Sequence, residues 1–177
     1  MAGDGRIRLF CALRLPRDVA GRIGEWQTRE LRGGRVAPVE SLHLTLAFLG
    51  SRPAGELPEI AAALRTAARG SGELRLRVRG YRETRSVGML TFEDEGGRAG
   101  ALAVRLHERL EELGVYRREA RPWLPHVTVL RFRERPRLRP ALPGLGEVAP
   151  SDAAVYMSKL RPDGAVYEAL ETAALGG

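Results

Sequence analysis

A chain of 177 residues with 44% apolar side chains is long enough to bury a core and too apolar to stay disordered. Its net charge of +7 and pI near 10.6 suit a polyanion such as RNA or a phosphorylated nucleotide, although Lys159 is the only lysine and an arginine-rich composition also fits a biased genome. A single cysteine, Cys11, excludes an intramolecular disulfide and a thiolate metal cluster, and no run approaches the ~18 apolar residues that span a bilayer, so the sequence reads as soluble and cytoplasmic.

The stretch "RIRLFCALRL" (6–15) alternates and predicts a strand that buries Cys11, and its arginines interrupt any signal-peptide h-region. Pro16 and Asp18 open a helix with Val19, Ile23, Trp26 and Leu31 near 3.6 spacing, ended by Gly33 and Gly34. "LHLTLAFLG" (42–50) is apolar on both faces, as a central strand is. A loop, "RPAGELPE", precedes an alanine-rich helix from Glu59 to Arg69, and "LRLRVRGY" (74–81) is a half-exposed strand with arginines on one face.

The second half repeats the order. "GMLTFED" (88–94) is a strand, and 99–115 is an amphipathic helix with Leu102, Leu106, Leu110 and Leu113 on one stripe and Gly114 as its cap. "HVTVLRF" (126–132) is a strand. A Pro/Arg-rich loop follows, and then a hairpin of 152–160 and 165–170 around "RPDG". The mixture predicts an α+β fold with antiparallel pairing and a rough internal duplication, each half carrying one H-x-T-x strand.

That motif carries the chemistry. His43 is followed by Thr45, and His126 by Thr128, in a chain with only seven threonines and three histidines, so chance recurrence is improbable. Side chains alternate along a strand, so each motif puts an imidazole and a hydroxyl on one face, with Leu44 and Leu46 or Val127 and Val129 packed behind. Two such faces meeting across a cleft suit phosphodiester hydrolysis: one neutral imidazole takes a proton from water, and one imidazolium gives a proton to the departing oxygen. The hydroxyls can bond the non-bridging phosphate oxygens, where charge builds. A metal would need a third ligand, and neither motif has His-x-x-Glu or His-x-His spacing, so no metal or other cofactor is expected. His107, in "VRLHERL", has no such threonine and reads as a surface helix residue. Trp123, between "RP" and "LP", is either a packing residue or a base-stacking one.

The paired motifs resemble the two-histidine (2H) phosphoesterase superfamily. "RLFCALRLP", "ESLHLTLAFLG", "RPWLPHVTVLRFR" and the closing "SKLRPDGAVYEAL" resemble its RNA 2′,3′-cyclic phosphodiesterase branch, formerly called 2′-5′ RNA ligases. The segment 80–98 departs from that pattern, as do Val127 and Val129, which stand where leucines are common. The resemblance implies one bilobal domain over 1–177, monomeric, with two pseudo-symmetric lobes. Each lobe is an antiparallel sheet backed by helices, and the active cleft lies between them. It implies opening of 2′,3′-cyclic phosphates on RNA ends or nucleotides to a 2′-phosphate, with ligation as a side activity. His43 is then the proton donor to the 3′ oxygen and His126 the base for water. Thr45 and Thr128 bind phosphate, as does Arg131, which strict alternation from His126 would put on the other face. The competing class is an RNA- or nucleotide-binding protein that keeps the cleft without turnover.

Overall fold

The computed structural model describes residues 5–176. In chain order it contains β1 (Arg6–Arg14), α1 (Arg17–Glu30), β2 (Arg35–Val36), β3 (His43–Pro53), α2 (Leu57–Ala68), β4 (Arg75–Glu83) and β5 (Val87–Glu95). α3 (Arg98–Glu112), β6 (His126–Arg131), β7 (Asp152–Arg161) and β8 (Gly164–Ala174) complete it. The fold is α+β, and every named strand pairing is antiparallel, in the order β4-β5-β6-β3-β1-β7-β8 with β2 added on β6.

The duplication is visible in that order. A strand, a helix and a motif strand recur as β1-α1-β3 and β5-α3-β6, and the two motif strands are neighbours at the centre of the sheet. The seam between the halves is narrow: Leu44 opposite Val127 is the one registered pair of β3 with β6.

The sequence explains the elements that hold this seam. Leu9, Cys11 and Leu13 of β1 are fully buried, as are Leu44 of β3 and Val127 and Val129 of β6, and burying a large aliphatic side chain contributes about 1.5–3 kcal/mol. Cys11 is a core residue whose thiol pKa is pushed up to about 12 by burial. α1 buries Val19, Ile23, Trp26 and Gln27, and the Trp26 indole N–H donates to the Ala141 carbonyl (2.6 Å), strapping the long 132–151 connection onto the helix. The Asp94 carboxylate caps α3, accepting from the backbone N–H groups of Ala99 (3.2 Å) and Gly100 (2.8 Å).

Two expectations are corrected in α3. Leu102, Leu106 and Leu110 face the core, but Leu113 lies one residue past the helix and is 38% exposed, because the chain turns at Gly114 (φ 73°). His107 is not a surface residue. It is only 7% exposed, with its ring against Tyr116. The two-residue β2, which the alternation did not predict, sits beside β6 because Gly34 has no side chain: a Cβ there would collide with the Arg131 carbonyl.

Candidate active site

Extending the Leu44–Val127 register sets His43 opposite Thr128 and Thr45 opposite His126. The two motifs are thereby set side by side, and His43, Thr45 and Thr128 line one floor. Beyond that pair β3 and β6 part, and β2 takes up the edge of β6, pairing Arg35 with Arg131 and Val36 with Leu130.

Each motif strand then carries a β-bulge at the same place. Ala12 pairs with Thr45 and Cys11 with Ala47, leaving Leu46 as the extra residue of β3. Met89 pairs with Thr128 and Gly88 with Leu130, leaving Val129 as the extra residue of β6. One extra residue inverts the alternation. Two consecutive buried residues follow each threonine, and the next side chain, Phe48 or Arg131, returns to the face of the histidine. Strict alternation had placed Arg131 on the opposite face; the bulge is the physical reason that it lines the cavity instead.

The cavity has a volume of about 410 Å³, and His43, Thr45, Phe48, Thr128 and Arg131 contribute to its lining together with Arg8, Arg35 and Tyr167. His126 lies just outside that lining, close enough for its charge to disfavour protonation of His43. The two rings are anchored alike. His43 Nδ1–H donates to the Ser41 carbonyl (2.7 Å), and His126 Nδ1–H donates to the Leu124 carbonyl (2.8 Å). A carbonyl only accepts, so both neutral rings carry their proton on Nδ1 and present Nε2 as the free base. His43 Nε2 lies 3.0 Å from Thr45 Oγ1.

The surroundings of the two rings differ. His43 packs against Phe10 (4.9 Å between centroids) and edge-on against Tyr167 (5.3 Å), with Tyr156 at 6.2 Å. Burial in this aromatic wall holds its pKa below that of ordinary imidazole. The charges of His126 and Arg131 push the same way, and the Ser41 carbonyl partly opposes them. The Arg8 guanidinium stands 5.2 Å from the Phe48 ring centroid, a cation–π contact at the cavity rim. At the opposite rim Arg35 donates to the Asp163 carbonyl (2.5 Å) in the β7–β8 turn.

All five residues singled out from the sequence thus lie on or beside one floor. Sequence reasoning missed Phe48, although a signal existed: it stands five places after His43, as Arg131 stands five after His126. It also missed the aromatic wall, which comes from three different strands. Trp123 is a packing residue: it sits against the core, and its indole N–H donates to the Thr45 carbonyl (2.9 Å). Among the described residues no three His, Cys, Asp or Glu side chains converge as metal ligands, and no helix is long and apolar enough to cross a membrane.

A sequence profile of the 2′-5′ RNA ligase superfamily matches residues 15–160. An RNA 2′,3′-cyclic phosphodiesterase of Thermus thermophilus is 35% identical, over 97% of this chain and 91% of its own length. A crystal structure of a Thermus thermophilus protein matches with a TM-score of 0.81 and 37% identity, covering 97% of this chain and 99% of that one. Escherichia coli LigT complexed with NADP+ matches with a TM-score of 0.80 and 26% identity, covering 97% and 98%.

Proposed function

The chain belongs to the 2′-5′ RNA ligase superfamily, and from that premise we propose that it hydrolyses 2′,3′-cyclic phosphates of RNA ends or nucleosides to 2′-phosphates. The observation that carries this reading is the matched anchoring of the two imidazoles, each tied through Nδ1 to a carbonyl, leaving two Nε2 atoms for proton transfer. His126 Nε2 takes a proton from water as the water oxygen bonds to phosphorus. The P–O3′ bond breaks, and protonated His43 gives its Nε2 proton to O3′. Thr45, Thr128 and Arg131 donate to the non-bridging oxygens as charge builds on them. No step requires a metal.

Two features support this order of roles. The departing oxygen carries the ribose and base, and Phe48, a flat exposed ring suited to a base, is on the His43 strand. Arg131, suited to phosphate, is on the His126 strand, where water would enter. Against this order, burial makes the His43 imidazolium scarce in the free enzyme, so the acid role needs a bound phosphate anion to favour its proton.

In this reading the chain acts as one bilobal, monomeric cytoplasmic unit. Ligation of a 5′ hydroxyl to a cyclic phosphate, the microscopic reverse of cyclising cleavage, is a side activity that hydrolysis outruns in water. The test is incubation with a cyclic-phosphate-ended oligonucleotide in EDTA, with the product identified. A 2′-phosphate is expected. A 3′-phosphate would reverse the leaving-group assignment, activity restored only by a divalent ion would end the metal-free mechanism, and an untouched but bound oligonucleotide would favour a binding protein.

A further inference from the structure

Two hydrogen bonds behind the cavity obey the same approximate two-fold as the motifs. The extra residue of each bulge falls out of register with the neighbouring strand, and its carbonyl accepts from a buried side chain of a helix. In β6 the Val129 carbonyl accepts from Gln27 Nε2 (2.8 Å), a side chain of α1 that is 2% exposed, and from the Ala37 backbone N–H (3.0 Å). In β3 the Leu46 carbonyl accepts from His107 Nε2 (2.8 Å), the buried histidine of α3. α1 and α3 are the corresponding helices of the two repeats, and Gln27 and His107 make corresponding hydrogen bonds from them. The pinning is crossed: the helix of each half holds the bulge in the motif strand of the other.

We propose that Gln27 and His107 are paired positioning residues, each fixing the bulge that turns one side chain into the cavity. Gln27 fixes the Val129 bulge and so aims Arg131. His107 fixes the Leu46 bulge and so aims Phe48. Neither residue is among those lining the cavity. This resolves why a histidine without a catalytic partner is buried in α3. It works as a buried donor to one carbonyl, the task that an amide performs in the other half.

The proposal rests on the reading of the cavity as a cyclic-phosphate site, and wild-type turnover is measured first to keep the two apart. Absence of that turnover would sink the reading of the site, whereas variants at the two pins test their roles in an active enzyme. Gln27→Met removes the donor at similar length, and it should lower kcat up to about 10²-fold with little change in KM, as a misaimed phosphate donor does. His107→Leu should instead raise KM for a nucleoside cyclic phosphate about tenfold at nearly constant kcat, since base stacking is made equally in ground and transition states. His107→Gln, which copies the other half, should restore KM. Should His107→Leu not fold, His107→Asn, whose amide falls short of the carbonyl, takes its place against His107→Gln. The effect of Gln27→Met should nearly vanish in an Arg131→Ala background and persist undiminished in a Phe48→Ala background. Equal losses in kcat and KM for both variants, or full additivity in both backgrounds, would overturn the proposal and leave the pins as ordinary core contacts.

Discussion

β3 and β6 share one course for six residues and then diverge. From His43 to Phe48 and from His126 to Arg131 the order of buried and open positions is the same, the bulge falls at the same place, and each imidazole is tied by Nδ1 to the carbonyl two residues before it. The difference begins at the last residue of that stretch, a phenyl ring in one half and a guanidinium in the other. It extends to the surroundings, since His43 stands in an aromatic wall contributed by β1, β7 and β8. A symmetric arrangement can transfer protons in either sense. In the proposed reading the asymmetric residues give it a direction: base and ribose toward His43, phosphate and water toward His126.

The strongest way to break this comparison is to delete one imidazole at a time. His43→Ala and His126→Ala should each cost about 10²–10⁴-fold in kcat. The double variant should be little worse than either, because acid and base act as one unit. Full activity in either single variant would reject the paired-histidine reading.

Arg131→Ala should cost about 10²–10³-fold in kcat, as losing a donor to developing charge does, and Thr45→Ala and Thr128→Ala should cost less. Phe48→Ala should leave kcat nearly intact and raise KM about tenfold. Steady-state kinetics on a nucleoside cyclic phosphate separate the two; a kcat defect in Phe48→Ala would mean that the fifth residues are not specialised.

The aromatic wall makes a finer difference in pH dependence. Burial lowers the His43 pKa, so a protonated His43 is lost as pH rises through a value below the ordinary 6.5. If His43 is the acid, the alkaline limb of kcat/KM lies below that value, and the alkaline limb of kcat lies higher, because bound phosphate favours the imidazolium. Tyr167→Ala opens the wall to water and should move the kcat/KM limb upward. An upward shift of the acid limb instead, or a His43→Ala enzyme that keeps the alkaline limb, would exchange the two roles.

The smallest expected effect is that of salt. Affinity for an oligonucleotide should fall with ionic strength more steeply than affinity for a dinucleotide, because more arginines meet phosphate. Equal slopes would mean that the arginines beyond the cavity are compositional.

Much of the site was legible because period-2 alternation suffices to put His43 with Thr45 and His126 with Thr128. The alternation fails at Leu46 and Val129, which are ordinary strand formers and give no sign of the bulge they create. Alternation alone therefore puts Arg131 on the wrong face, although the resemblance gives it to the phosphate side, and Phe48 went unnoticed. His107 was misread for a related reason: a polar residue in an amphipathic helix looks solvated, and its partners, the Leu46 carbonyl and the Tyr116 ring, are distant in the sequence or outside the helix. The overall order of strands and helices was legible from turn residues and apolar spacing. β2 was not, since two residues carry no period, and its position depends on the close approach at Gly34.

The position of β1 in the sheet has a consequence for the birth of the protein. One edge of β1 is covered by β3, which follows it closely in the chain, but the other is covered by β7, which pairs Arg8 with Ser158 and Arg14 with Asp152. Synthesis must run past residue 161 before that second edge is closed. Until then a strand rich in buried side chains, Leu9 to Leu13, presents open backbone groups, the condition that invites pairing with another chain. The sheet completes late and through distant contacts, which slows folding relative to a fold of local contacts and leaves a ribosome-stalled chain lacking β7 open to aggregation.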